Sequence, residues 1–171
     1  GVKYGFDRWT GLEVLHGVII NSAVAQYKIV DGNGDEPQVT FWGDDRDNAP
    51  AATTSSNNIG SRTPTSASVA WDDANLGVTS AAFVEAPDVG SILSEMQASG
   101  HLLSGVVAIF YSSTSDDTSR DFNRLTYDND PADAAILEVD YTEAGGITFV
   151  GKLVDYAVMP PAMGHYGVVG Y

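Results

Sequence analysis

The chain has 171 residues, no cysteine, and 8 basic against 23 acidic residues, a formal net charge of −15 with a pI near 4.1. That length fits one domain with a real core. The acidic balance makes nucleic acid and anionic membranes poor partners, and the missing thiols exclude disulfides, thiolate zinc and a cysteine nucleophile. No apolar run approaches the roughly 18–20 residues that a membrane-crossing helix needs. The sequence opens at Gly1, and no secretory leader is expected within its first residues. A processed protein, or one that has lost an initiator Met before glycine, is expected to begin this way.

Eighteen glycines and many Ser and Thr residues point to an all-β chain. From Val18 to Val30, Ala23, Ala25, Tyr27 and Ile29 alternate with Ser22, Gln26 and Lys28, the period of a half-buried strand. Asp31 to Glu36 has turn composition, and a second alternating strand, Gln38 to Gly43, follows with Val39 and Phe41 inward and Thr40 and Trp42 outward. The two strands are expected to form a hairpin. Asp44 to Thr65 is a long polar loop, the kind that either carries function or hides a short helical turn. Ser66 to Trp71 is a further strand with Ala67, Val69 and Trp71 on one face, and Ala82 to Ala86 a short one.

Val89, Ile92, Leu93 and Met96 recur at helical spacing, with Asp88 as the expected N-cap and Gly100 as the terminating glycine. Leu102 to Tyr111 is uncharged and rich in Val, Ile and aromatics, which predicts a strand buried on both faces in the middle of a sheet. Asn123–Tyr127 and Ala134–Tyr141 are expected strands, the latter facing the core with Leu137, Val139 and Tyr141. After Gly145-Gly146, Ile147 to Met159 is apolar on both faces, Pro160-Pro161 stops any regular continuation, and His165 to Tyr171 is a short aromatic-and-valine tail.

Gly5-Phe6, Val18 to Ala23, Val39 to Asp44 with Asp47-Asn48-Ala49, and Ser61-Arg62-Thr63 with Thr65 and Val69-Ala70-Trp71 stand in a suggestive order. So do Ala86-Pro87-Asp88, Ser104-Gly105, Tyr127-Asp128 and Pro131 in the second half. In this order the chain resembles, over roughly Gly5 to Tyr141, a jelly-roll-type β-sandwich module of bacterial surface proteins and phage-encoded proteins. The resemblance implies a lectin-like or carbohydrate-module-like sandwich, extracellular, on a cell surface or on a virion surface, and without catalysis. The module normally has one more strand ahead of the Gly-x-Phe segment, whereas here Thr142 to Tyr171 is added at the other end. The expected organisation is thus a sandwich, all-β and jelly-roll-like with one short helix, over residues 1–141, and an extension over 142–171. That extension supplies a strand to a neighbouring copy or to its own fold.

The candidate assembly residues are Ile147, Phe149, Leu153, Val154, Tyr156, Tyr166, Val168 and Val169. Calcium, as a structural ion, is the candidate cofactor: Asp31, Asn33 and Asp35 have the opening spacing of a calcium loop, although Trp42 stands where its final acid belongs. Asp44, Asp45 and Asp47 are a second acidic cluster. Trp42 and Tyr127 are candidate sugar-stacking aromatics, and Thr53 to Ser68 a candidate stretch for O-linked glycans. His16, His101 and His165 lack metal-ligand spacing, and no nucleophile elbow or phosphate loop is present. The functional expectation is therefore a non-catalytic subunit that associates with copies of itself in an extracellular filament or virion-surface assembly. The alternatives are a carbohydrate-binding module and a phage capsid or tail decoration protein.

Overall fold

Alternating side chains build most of the fold, because a strand with one apolar face must bury it against another sheet. In the computed structural model the described residues are 4–29, 38–53, 55, 57–72, 82–113, 131–143, 148–149 and 155–156. They form two packed antiparallel sheets. The strands are β1 (Tyr4–Trp9), β2 (Ile19–Ile29), β3 (Gln38–Asp44), β4 (Pro64–Asp72), β5 (Ala82–Glu85), β6 (Val107–Ser113), β7 (Ile136–Thr142), β8 (Thr148–Phe149) and β9 (Asp155–Tyr156). One helix, α1 (Gly90–Ala98), lies between β5 and β6. The first sheet has the order β1-β6-β3-β4, and the second β5-β2-β7-β8 with β9 also on β7. The expected all-β sandwich with one short helix is present.

The alternation expected in β2 and β7 is what is buried: Ala23, Ala25, Tyr27 and Ile29 face Leu137, Val139 and Tyr141 within one core layer. Tyr27 reaches across to the other sheet, where its ring lies parallel to Phe41 at 6.3 Å and edge-on to Tyr111 at 6.5 Å. The expected hairpin between β2 and β3 does not form. β2 pairs with β5 and β7, and β3 with β4 and β6, so the intervening chain crosses between sheets. Turn composition reports that a chain reverses, and leaves open whether it returns beside itself or opposite itself.

β6 occupies an inner position and is buried on both faces, from Val107 through Ser112. It begins later than the sequence pattern indicates, since Leu102 to Gly105 is a turn with Gly105 at φ +66. One face of β6 meets the inter-sheet core through Val107, Ile109 and Tyr111. Its other face, Ala108 and Phe110, joins Phe6, Ala49, Ala52, Ile59 and Val106 in a second apolar cluster. The polar stretch after β3 thus folds over the outside of the first sheet and seals it.

Helix α1 carries the expected stripe, with Ile92, Leu93 and Met96 fully buried. It ends as expected: Gly100 adopts φ +75, its N–H reaches Gln97 O at 2.9 Å, and His101 N–H reaches Met96 O at 2.8 Å. Its start differs. Val89 is the N-cap, and Asp88 stands one residue earlier, where Oδ1 accepts both Gly90 N–H and Ala23 N–H at 2.8 Å. The carboxylate therefore ties the helix entry to β2.

Two short pieces of the sequence after Thr142, Thr148–Phe149 and Asp155–Tyr156, join the second sheet on β7. Phe149 is opposite Tyr141 and Tyr156 opposite Ile136, so the returning chain runs antiparallel along β7.

Candidate functional site

The densest polar constellation among the described residues lies where β3 runs into the loop that covers the first sheet. β3 and β4 shift register between Trp42 and Asp44. The Thr65 hydroxyl bridges the irregularity, accepting Gly43 N–H at 2.9 Å and donating to Ala67 O at 2.8 Å. This kink turns Asp44 into the protein, where it is completely buried. Arg62 Nη1 meets Asp44 Oδ2 at 2.5 Å, and Arg46 Nε meets Oδ1 at 2.6 Å.

Arg62 carries the loop with it. Nη2 donates to Pro50 O at 2.9 Å, and the guanidinium carbon stands 4.0 Å from the centre of the Phe6 ring. Arg8, on β1, adds a bond from Nε to Ala49 O at 2.7 Å. Burial lowers the pKa of Arg62, partly offset by Asp44, and burial likewise lowers that of Arg8. Arg62 Nε has no hydrogen-bond partner.

The neighbouring acids point elsewhere. Asp45 Oδ1 lies 3.0 Å from His101 Nδ1, just past the end of α1. Asp47 Oδ1 accepts the backbone N–H of Ser104 at 3.0 Å and its hydroxyl at 2.7 Å. These bonds, the backbone one first, hold the Asp47 carboxyl below its usual range. Asn48 adopts φ 49 and donates its N–H to Ser104 Oγ at 3.0 Å. The three acids of the second expected calcium cluster therefore turn to three different partners: a pair of arginines, a histidine and a serine. Among the described residues no group of three or more His, Asp or Glu converges on a place for a metal ion. Asp31, Asn33 and Asp35 lie outside the described residues.

Elsewhere charge also joins elements. Glu95 of α1 accepts Ser66 N–H at 2.7 Å and Ala67 N–H at 2.6 Å, fastening the helix to β4. Lys28 of β2 pairs with Asp133 just before β7. Asp7, fully buried in the inter-sheet core, accepts the Tyr27 hydroxyl at 3.0 Å.

Of the expected sugar-stacking aromatics, Trp42 is half-buried and lies 6.0 Å from Phe110 with the rings 25° apart, packed on the second cluster. Tyr127 lies outside the described residues. Of the assembly residues, Phe149 and Tyr156 are in β8 and β9 on β7. Ile147, Leu153, Val154, Tyr166, Val168 and Val169 lie outside the described residues. The sequence reading named Asp88 at the helix entry but not its bond to β2, and did not single out Arg62 or Glu95 as fastening residues. A lone arginine in a Ser/Thr-rich stretch was the only available signal for Arg62. The chain matches no family model, and neither a curated protein nor a solved structure is similar to it.

Proposed function

We propose that the chain is a non-catalytic structural subunit of a self-assembling extracellular filament or virion-surface assembly, whose copies are joined through their C-terminal regions. The observation that carries this reading is the behaviour of the extension: Thr148–Phe149 and Asp155–Tyr156 add strands to the exposed side of β7. The extension is strand-forming sequence, and it continues past Tyr156 into residues 157–171, which contain no Asp, Glu, Lys or Arg. In a chain of net charge −15, most of the surface repels its copies, and a stretch without charged side chains is the natural point of attachment.

The polar groups support the same reading. The Asp44, Arg62, Glu95 and Asp88 side chains fasten loop to sheet and helix to strand, which is the chemistry of a rigid module. The carbohydrate-binding alternative draws less support, because Trp42 is engaged with Phe110.

Sedimentation velocity of the full chain over a wide concentration range tests the proposal. Species that grow with concentration are expected. A single monomeric boundary at every concentration would overturn it.

A further inference from the structure

Asp44 meets two arginines, but Asp133 meets a lysine: Lys28 of β2 reaches it just ahead of β7. The difference is chemical. A guanidinium holds a carboxylate as an ion pair and fork of hydrogen bonds, whereas a lysine amine is also a nucleophile toward carbonyl carbon.

Both partners are fixed through the backbone. Lys28 is half-buried and lies between Tyr27 and Ile29, whose side chains anchor this stretch of β2 in the inter-sheet core. Asp133 leads into Ala134 and Ala135, both fully buried, and Ala135 O accepts the Trp9 indole N–H at 3.2 Å. Asp133 is itself only 8% exposed, and its Oδ1 is the atom against Lys28 Nζ. On the opposite side Phe83 of β5 is the cross-strand partner of Lys28, which puts the two on one face of the sheet. Amine and carboxyl are thus held together at a place where water has little access to the acid.

We propose that Lys28 and Asp133 become joined by an isopeptide bond, an amide between Lys28 Nζ and Asp133 Cγ formed within the folded chain. Nζ attacks Cγ, the C–N bond forms and one C–O bond breaks. The departing oxygen takes two of the three ammonium protons with it and leaves as water. The two charges cancel, so the step balances without an oxidant, a cofactor or an outside reagent. Folding supplies the drive, because well-oriented groups held in contact react with effective molarities of about 10⁵–10⁸ M. Scarce water at the acid slows the reverse hydrolysis.

The bond suits a structural module. It joins positions 105 residues apart, closing a loop that contains β3 to β6 and α1. A link across so long a loop restricts the unfolded chain, and it couples β2 covalently to the entry of β7. It forms within one molecule and so does not depend on self-association.

Mass spectrometry of the full chain under denaturing conditions tests the bond. The wild-type mass is expected to fall short of the sequence mass by one water, and digestion to release one branched peptide containing both Lys28 and Asp133. Lys28→Arg keeps the ion pair without the amine. It is expected to show its full sequence mass and a lower melting temperature than wild type. A wild-type chain at full sequence mass overturns the proposal and leaves an ordinary ion pair, whether or not the variant folds. One water lost without the branched peptide, as when an aspartate cyclises onto its own backbone, overturns it as well. Neither outcome bears on self-association, which sedimentation reads separately.

Discussion

Arg62 and Asp44 form an ion pair sealed inside the covering layer, with side chains 2% and 0% exposed and 2.5 Å between Nη1 and Oδ2. Removing Arg62 leaves the buried carboxylate with Oδ2 unpaired and only the more exposed Arg46 on Oδ1. Arg62→Ala should therefore lower stability by about 3–5 kcal/mol, whereas Arg46→Ala, whose side chain is 43% exposed, should cost no more than about 1 kcal/mol. Equilibrium denaturation of both variants measures the contrast. Equal costs would mean that Asp44 depends no more on Arg62 than on Arg46. Replacing both members by apolar residues of similar volume should be milder than Arg62→Ala alone.

The carboxylates of Glu95 and Asp47 predict a sensitivity to acid. Backbone N–H groups of Ala67 and then Ser66 hold the Glu95 carboxyl below its ordinary value of 4.5, and Ser104 does the same for Asp47, ordinarily 3.8. A carboxyl titrating lower in the folded state stabilises fully above its ordinary value and loses that contribution as pH falls toward the folded one. The melting temperature should thus fall on acidification below about 4.5. Glu95→Gln should differ most from wild type near neutrality, and the two curves should converge in acid. Parallel curves down to strong acid would remove Glu95 from the account.

Gly5 faces Tyr111 so closely that a Cβ there would enter the space of the ring. Tyr111 is 4% exposed and stacks edge-on against Phe41 at 5.4 Å, so it has nowhere to go. Gly5→Ala should cost about 1–3 kcal/mol, at the upper end of overpacking. Gly43→Ala meets Met96 Sδ at 2.8 Å and both Ile92 Cγ2 and Thr65 Cγ2 at 2.9 Å, against 2.0 Å to the Tyr111 ring at Gly5, and should cost less because the overlap is smaller. Thermal unfolding of the pair decides the order, and a reversed order would refute the packing argument.

Asp88 receives two backbone donors on one oxygen, Ala23 N–H and Gly90 N–H. Asp88→Ala should destabilise by about 1–2 kcal/mol, as the loss of a helix-entry carboxylate does, and Asp88→Asn by less because its amide oxygen still accepts. Hydrogen exchange should show faster opening of the Ala23 amide in Asp88→Ala. An unchanged rate there would argue that β2 does not rely on this bond.

Much of the architecture was legible from side-chain periodicity. Tyr27 and Ile29 in β2, Leu137 and Val139 in β7, and the helical stripe Ile92, Leu93 and Met96 are all buried where their spacing puts them. The two-faced burial of β6 was legible as well, since Val107 to Tyr111 contains no polar residue. Its cover was not. Ala49, Ala52 and Ile59 are the apolar residues of that cover, too few and too irregular in a polar stretch to announce a second cluster. Likewise an acidic run such as Asp44 to Asp47 has the same composition whether its carboxylates converge on an ion or turn away to separate partners.

Alternation, the helix stop at Gly100 and the acidic, thiol-free character of the surface belong to the sequence by itself, because each is a property of neighbouring residues. Strand partners and the fate of the charges were decided only in the tertiary structure. Lys28 meets Asp133 across a separation of 105 residues, and Arg62 meets Asp44 across 18. Periodicity constrains which side a residue faces, while the neighbour it finds there depends on how distant segments share one limited interior.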